Sequence, residues 1–118
     1  MIPFYMMGEP FVVIPLKLVE DKNSKGSDIL VYLAIASFLH GRRWGATSQR
    51  EIMRRAKYTS TKTVMKTITH LVEIGWAEKY RRGLTQTNIV ILFSRKNERL
   101  SPRERKKIRD TVEETVNL

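Results

Sequence analysis

A turn of three or four residues around Lys57-Tyr58 joins two helical patterns, and this short join constrains the chain more than any other feature. The first pattern, ATSQREIMRRAK at 46–57, places Glu51 three residues after Ser48. That is the capping pattern in which the two side chains satisfy backbone N–H groups of the first turn. Ile52, Met53 and Ala56 form its inward face, while Arg50 and Arg54 project the other way. The second pattern is capped by Thr59 or Ser60 and spaces Val64, Ile68, Leu71 and Val72 as a single apolar stripe, ending at Gly75.

What surrounds this pair completes an order of elements. FVVIPLKLVE at 11–20 begins as a short apolar extended segment, an edge strand or a lead-in, because Pro15 removes a ladder donor. SDILVYLAIASFLHG at 27–41, capped by Ser27 or Asp28 and closed by Gly41, is apolar almost all round and predicts a helix buried at the centre of a small core. WAEKYR and NIVILFS read as two strands joined by the polar loop RRGLTQTN, which makes a hairpin. Ser101-Pro102-Arg103-Glu104 is another capping box with proline at the first helical position, so 102–116 is helical, with a thin seam of Ile108, Val112 and Val116. The expected division is an arm at 1–10, a domain at 11–94 and a basic helical extension at 95–118.

Charge and composition narrow the function. The 118-residue chain carries 22 Lys and Arg against 12 Asp and Glu, and the surplus is uneven. Residues 41–94 hold eleven basic and three acidic side chains, whereas residues 1–40 net −1. Clustered positive charge is the footprint of a polyanion partner, most often nucleic acid. The absence of cysteine removes disulfide scaffolds, zinc fingers and thiol nucleophiles. No metal or cofactor is expected: His40 and His70 sit on separate helices without ligand spacing, and there is no glycine-rich phosphate loop. An enzyme is not expected. Neither a signal peptide nor an apolar run long enough to cross a membrane is evident, so the expected compartment is the cytoplasm.

Two helices across a short turn, followed by a hairpin with a basic tip, form a winged helix-turn-helix: mainly α, with a three-helix core, a two-stranded wing and an added C-terminal helix. Six of the eleven residues from Thr59 to Thr69 are Thr or Ser, poor helix formers whose presence needs a reason. At about 100° per residue, Lys62, Lys66, Thr69 and Glu73 fall opposite the apolar stripe, with Thr63 and His70 flanking. Short hydroxyls and lysines on the first turns suit phosphates and base edges. The expected contacts on this helix are therefore Thr59, Ser60, Thr61, Lys62, Thr63 and Lys66. Thr59 and Ser60 also serve as caps in any case, and Thr67 either packs inward or bonds back to a carbonyl. Arg81, Arg82, Thr85 and Gln86 form the expected wing contact with the minor groove or backbone, Arg42, Arg43, Arg50 and Arg54 are the expected backbone clamps, and Ser48 is a further expected contact.

These segments resemble the winged-helix domains of plasmid and phage replication initiators and replisome organisers. The matching residues are Phe11 with Ile14-Pro15, Ser48 with Ile52 and Ala56, and Thr63-Val64 with Ile68, Leu71 and Gly75, over roughly residues 11 to 94. Trp76-Ala77, where the family usually has two aliphatic residues, and the basic C-terminal helix depart from it. The resemblance implies a role in replication, while the residues themselves point to double-stranded DNA as partner and leave replication, partition, conjugation and transcription control unseparated. The seam of Ile108, Val112 and Val116 is expected to pack against its own domain or against a second subunit, and a homodimer through it would double the contacts. The competing expectation is a winged helix that binds protein within a nucleoprotein assembly.

Overall fold

The computed structural model describes residues 12–40, 42–80 and 89–116, with side chains through Thr111. The expected arm at 1–10, Phe11, Gly41 and the expected wing tip at 81–88 lie outside the described residues. The elements run α1 (Leu16–Glu20), α2 (Gly26–Phe38), β1 (Trp44–Ala46), α3 (Gln49–Arg55), α4 (Thr61–Glu73), β2 (Ala77–Tyr80), β3 (Ile89–Leu92) and α5 (Pro102–Val116). This is the mainly helical winged helix-turn-helix expected from sequence, with two local differences.

The segment expected to be extended contains the short helix α1. Pro15 precedes it in extended backbone, where its missing N–H costs nothing. Leu18 is its anchor, completely buried in the helical core. The second difference is a third strand. β1 pairs antiparallel with β3, Trp44 opposite Ile91 and Ala46 opposite Ile89, so the sheet order is β1-β3-β2 and the expected two-stranded wing is a three-stranded sheet. A three-residue strand containing glycine has no propensity signal of its own; pairing with β3 creates it.

That sheet is the middle layer of the molecule. Val90 and Leu92 face one core with Val31 and Ile35 of α2, Ile52 of α3, Val64, Ile68 and Leu71 of α4, and Trp76. Ile89, Ile91 and Phe93 face a second core made with Leu100 and Ile108, edged by Trp44 and Tyr80. Strand alternation explains the division, and it explains why all four residues of β3 are buried. Ile108 is completely buried here. Of the two placements expected for the seam, its own domain or a second subunit, Ile108 takes the first, while the side chains of Val112 and Val116 lie outside the described residues.

Helix ends are set by left-handed residues. Gly75 (φ 86°) ends α4, with Gly75 N–H donating to the Val72 carbonyl at 3.1 Å and Trp76 N–H to the Leu71 carbonyl at 2.9 Å. Glycine is required there, because a Cβ would run into the Asn97 side chain. His40 takes a left-handed conformation (φ 53°) after α2, and Gly41, the expected C-terminal glycine, lies outside the described residues. Two long-range polar contacts lock the layers. Tyr32 on α2 donates its hydroxyl to the Phe93 carbonyl at 2.7 Å, and burial pushes that phenol up to about 12. Trp76 Nε1 donates to Asp21 at 2.8 Å; this bond, with the Asn23 N–H and Lys96 beside it, holds the Asp21 carboxyl down to about 2.

Candidate nucleic-acid interface

The site starts at the corner between α3 and α4. Ala56 caps α3 and Lys57 follows in the left-handed region (φ 63°), with Lys57 N–H donating to Arg54 at 3.2 Å and Tyr58 N–H to Met53 at 2.9 Å. This double bond to the end of α3 stops the helix sharply and swings the chain into α4. Ile52 and Ala56 of α3 meet Val64, Ile68 and Leu71 of α4 in the first core, which fixes the crossing of the pair.

With its stripe buried, α4 has one side left to present. Thr61, Lys62, Thr63 and Lys66 are exposed, together with Thr59 before the helix. Lys62 and Lys66 lie one turn apart, about 5–6 Å between Cβ atoms. The first turn contains no acidic residue, so Lys62 adds to the positive end of the helix dipole instead of opposing it. Capping tells the same story. Ser48 accepts the Glu51 N–H at 3.3 Å on α3 and Ser101 accepts the Glu104 N–H at 3.2 Å on α5, but Ser60 makes no side-chain cap bond on α4. Of the three helices that follow a serine, α4 is the one whose serine makes no cap bond, and it carries the exposed hydroxyls and lysines. Backbone N–H groups at such a start suit an anion.

Other expected residues divide by what they touch. Thr67 is buried and donates to the Thr63 carbonyl at 2.8 Å, so it belongs to the core side. Ser48 is occupied as the cap of α3. Arg50 is exposed on α3. Arg54 is also exposed but shares Glu51 with Arg55, and those hydrogen bonds hold the Glu51 carboxyl below its ordinary value. Arg42 is exposed with Nε donating to the Leu39 carbonyl at 3.2 Å, closing the end of α2. Arg43 departs from expectation. It pairs with Glu98 and, at 3.5 Å, with Glu104, so its charge ties the start of β1 to α5 instead of facing outward. Arg81, Arg82, Thr85 and Gln86 lie outside the described residues.

Two groups beside the lysines were not singled out in the sequence. Lys79 is exposed on β2 and donates to the Thr69 hydroxyl at 3.0 Å, which places a third cation against the flank of α4. Alternation in AEKY carries the signal: Lys79 shares a face with Ala77, toward the helices, while Glu78 and Tyr80 point at α5. Met65, 45 % exposed, stands on the same flank between α4 and Lys79. On the opposite flank His70 contacts the buried Asp28 carboxylate at 2.8 and 2.9 Å, and Asp28 also accepts the Lys25 N–H at 2.7 Å. The pair therefore fixes α4 against the start of α2. Among the described residues no cluster of acids and histidines could hold a metal ion, and no helix is long and apolar enough to cross a membrane.

No family model matches the sequence, and no curated protein matches it. Solved structures do. One described as the N-terminal domain of a DNA binding protein aligns at TM-score 0.56 and 20 % identity, covering 91 % of this chain and 89 % of that one. Another, described as the structure of a Rep–DNA complex, aligns at TM-score 0.57 and 20 % identity, covering 91 % and 90 %. At this identity the likeness is one of fold, and it extends over almost the whole of each chain.

Proposed function

We propose that this winged helix-turn-helix is a double-stranded DNA-binding domain that lays α4 in the major groove, N-terminus first. The observation that carries the reading is the start of α4: an uncapped helix N-terminus with Lys62, Thr63 and Lys66 exposed, no acid in its first turn, and Lys79 alongside. A helix fits the major groove of B-form DNA, and its first turns are the part that reaches base edges. Lys62 and Lys66 supply phosphate or guanine contacts, while Thr63 offers a hydroxyl and a methyl. Arg50 on α3 supplies a further backbone contact, and Arg81 and Arg82, between β2 and β3 in the sequence, contact the minor groove or the backbone. The chain acts by binding and not by catalysis. Replication is the transaction best supported, by the resemblance to initiators and by a neighbouring fold seen in a Rep–DNA complex.

The test is duplex binding across a salt series for the natural chain and for the Lys62→Ala/Lys66→Ala variant. Each phosphate contact adds roughly 0.9 to the slope of log affinity against log salt, so the variant should flatten it by about 2 and bind more weakly. An absence of duplex binding by the natural chain at ~50 mM salt, where a few phosphate contacts suffice, would overturn the reading in favour of a protein partner.

A further inference from the structure

We infer that the outward face of α5 is a second duplex-DNA surface, so that one chain holds two DNA segments, one on α4 and one on α5. The inference rests on the DNA-binding reading of α4 and adds a site to it.

Ile108 fixes the orientation of α5: it is buried against the sheet, with Glu104 and Arg105 on either side of it, half-buried. Those two flanking charges are spent within the fold, Glu104 on Arg43 and Arg105 on Glu78, each at 3.5 Å. The side turned away from the sheet carries Arg103, Lys106, Lys107 and Arg109, all exposed, against one exposed acid, Asp110. Among the described residues none of these four cations has an ion-pair partner. Two of them, Lys106 and Arg109, line a shallow hollow with Arg105. The sequence turns acidic at Glu113-Glu114, so the cationic stretch is confined to the first two turns and a little beyond.

Helix stability does not explain this arrangement. Cations near a helix N-terminus oppose the dipole, and an ordinary solvated helix places them at its other end. Glu104 is the one acid of the first turn, as a helix prefers, but the other acids, Asp110, Glu113 and Glu114, follow the cations toward the C-terminus, and the last turn holds no cation. Phosphates arrayed along a duplex reward four cations within about two turns, through Coulomb attraction and counterion release. Position separates this surface from the first. α4 packs on the face of the sheet that carries Val90 and Leu92, and α5 packs on the face that carries Ile89 and Ile91. A duplex seated on α4 has the sheet between it and the outward side of α5, which leaves that side open to a second segment.

The experiment has two arms on the full chain. Anisotropy of a short labelled duplex measures binding of one segment. Capture of that labelled duplex by bead-tethered duplex of the same sequence measures bridging. The variant Arg103→Gln/Lys106→Gln/Lys107→Gln/Arg109→Gln should keep single-duplex affinity within about threefold at ~100 mM salt and lose capture at least tenfold, because its α4 site is intact. A control, Lys17→Gln/Lys22→Gln, lowers net charge at exposed residues in and just after α1, outside α4 and α5, and should retain capture. The proposal is overturned if the α5 variant captures as well as the natural chain, which would place bridging in protein–protein contact. It also falls if the control loses capture equally, or if the natural chain binds duplex but never bridges. An absence of duplex binding in the first arm would instead count against the α4 reading.

Discussion

Helices α4 and α5 are similar in length, 13 and 15 residues, and both turn lysine or arginine outward, yet they are held to the molecule in different ways. α4 buries Val64, Thr67, Ile68 and Leu71 and meets α2, α3 and the sheet at once. Among its described residues α5 buries Ile108 alone, and half-exposed ion pairs steady its flanks. Burial of one such side chain is worth about 1.5–3 kcal/mol, whereas an exposed ion pair contributes about 0–1 kcal/mol. The comparison teaches that a binding face can be built on a rigid core element or mounted on a lightly attached one. The two faces then respond differently to damage.

The largest effect should follow from cutting into α4. Leu71→Ala removes a completely buried side chain that packs in the first core, and it should cost about 2–5 kcal/mol in urea unfolding, with duplex binding lost at physiological temperature. A cost no larger than that of Ile108→Ala, in the second core, would show that α4 is no better anchored than α5. Ile108→Ala should cost less, about 2–3 kcal/mol, because a helix held by one such side chain can settle into the gap. Hydrogen exchange sharpens the contrast: α5 amides should lose protection while α4 amides keep theirs. Simultaneous loss in both would make the two helices one cooperative unit.

The smallest effect lies at a joint that touches both regions. Asp21 accepts from Trp76, just after α4, and pairs with Lys96, ahead of α5, at 3.2 Å. Its carboxyl titrates at about 2 in the fold against an ordinary 3.8. The sign follows from the depressed value: the contribution is present above the ordinary value and is lost as pH falls from about 4 through about 2. Asp21→Asn should remove that part of the acid slope in thermal melts, and an unchanged slope would show that the joint carries no load.

Local signals explain what the sequence made legible. Ser48 with Glu51, the stripe from Val64 to Leu71, and Gly75 each act within a turn or two, and α3 and α4 begin and end where those residues place them. α1 was not legible because Val12, Val13 and Ile14 favour extended chain, while its helix depends on Leu18 reaching a core built from residues far downstream. β1 depended likewise on its distant partner, β3. In the candidate site, the exposed face of α4 followed from its periodicity, but the inward turn of Arg43 is decided by Glu98 and Glu104, which no local pattern connects to it. Lys79 could have been found by carrying strand alternation one step further.

The double-sided burial of β3 has a consequence for how the sheet finds its alignment. A strand with one wet face is held in place by polarity, since a slip of one residue would turn its apolar set outward. Ile89–Leu92 offers no such information, because shifting it by one still presents aliphatic side chains to both layers. The alignment must be encoded by its neighbours. β2 alternates Ala77 and Lys79 toward the helices with Glu78 and Tyr80 toward α5, and a slipped pairing would carry Glu78 beneath the helices. β1 adds a steric key: Gly45 lies opposite Val90 under Leu39, where a Cβ would come within 2.8 Å of the leucine methyl. The central strand is thus a uniform rail, and the two outer strands are the teeth that stop it from sliding.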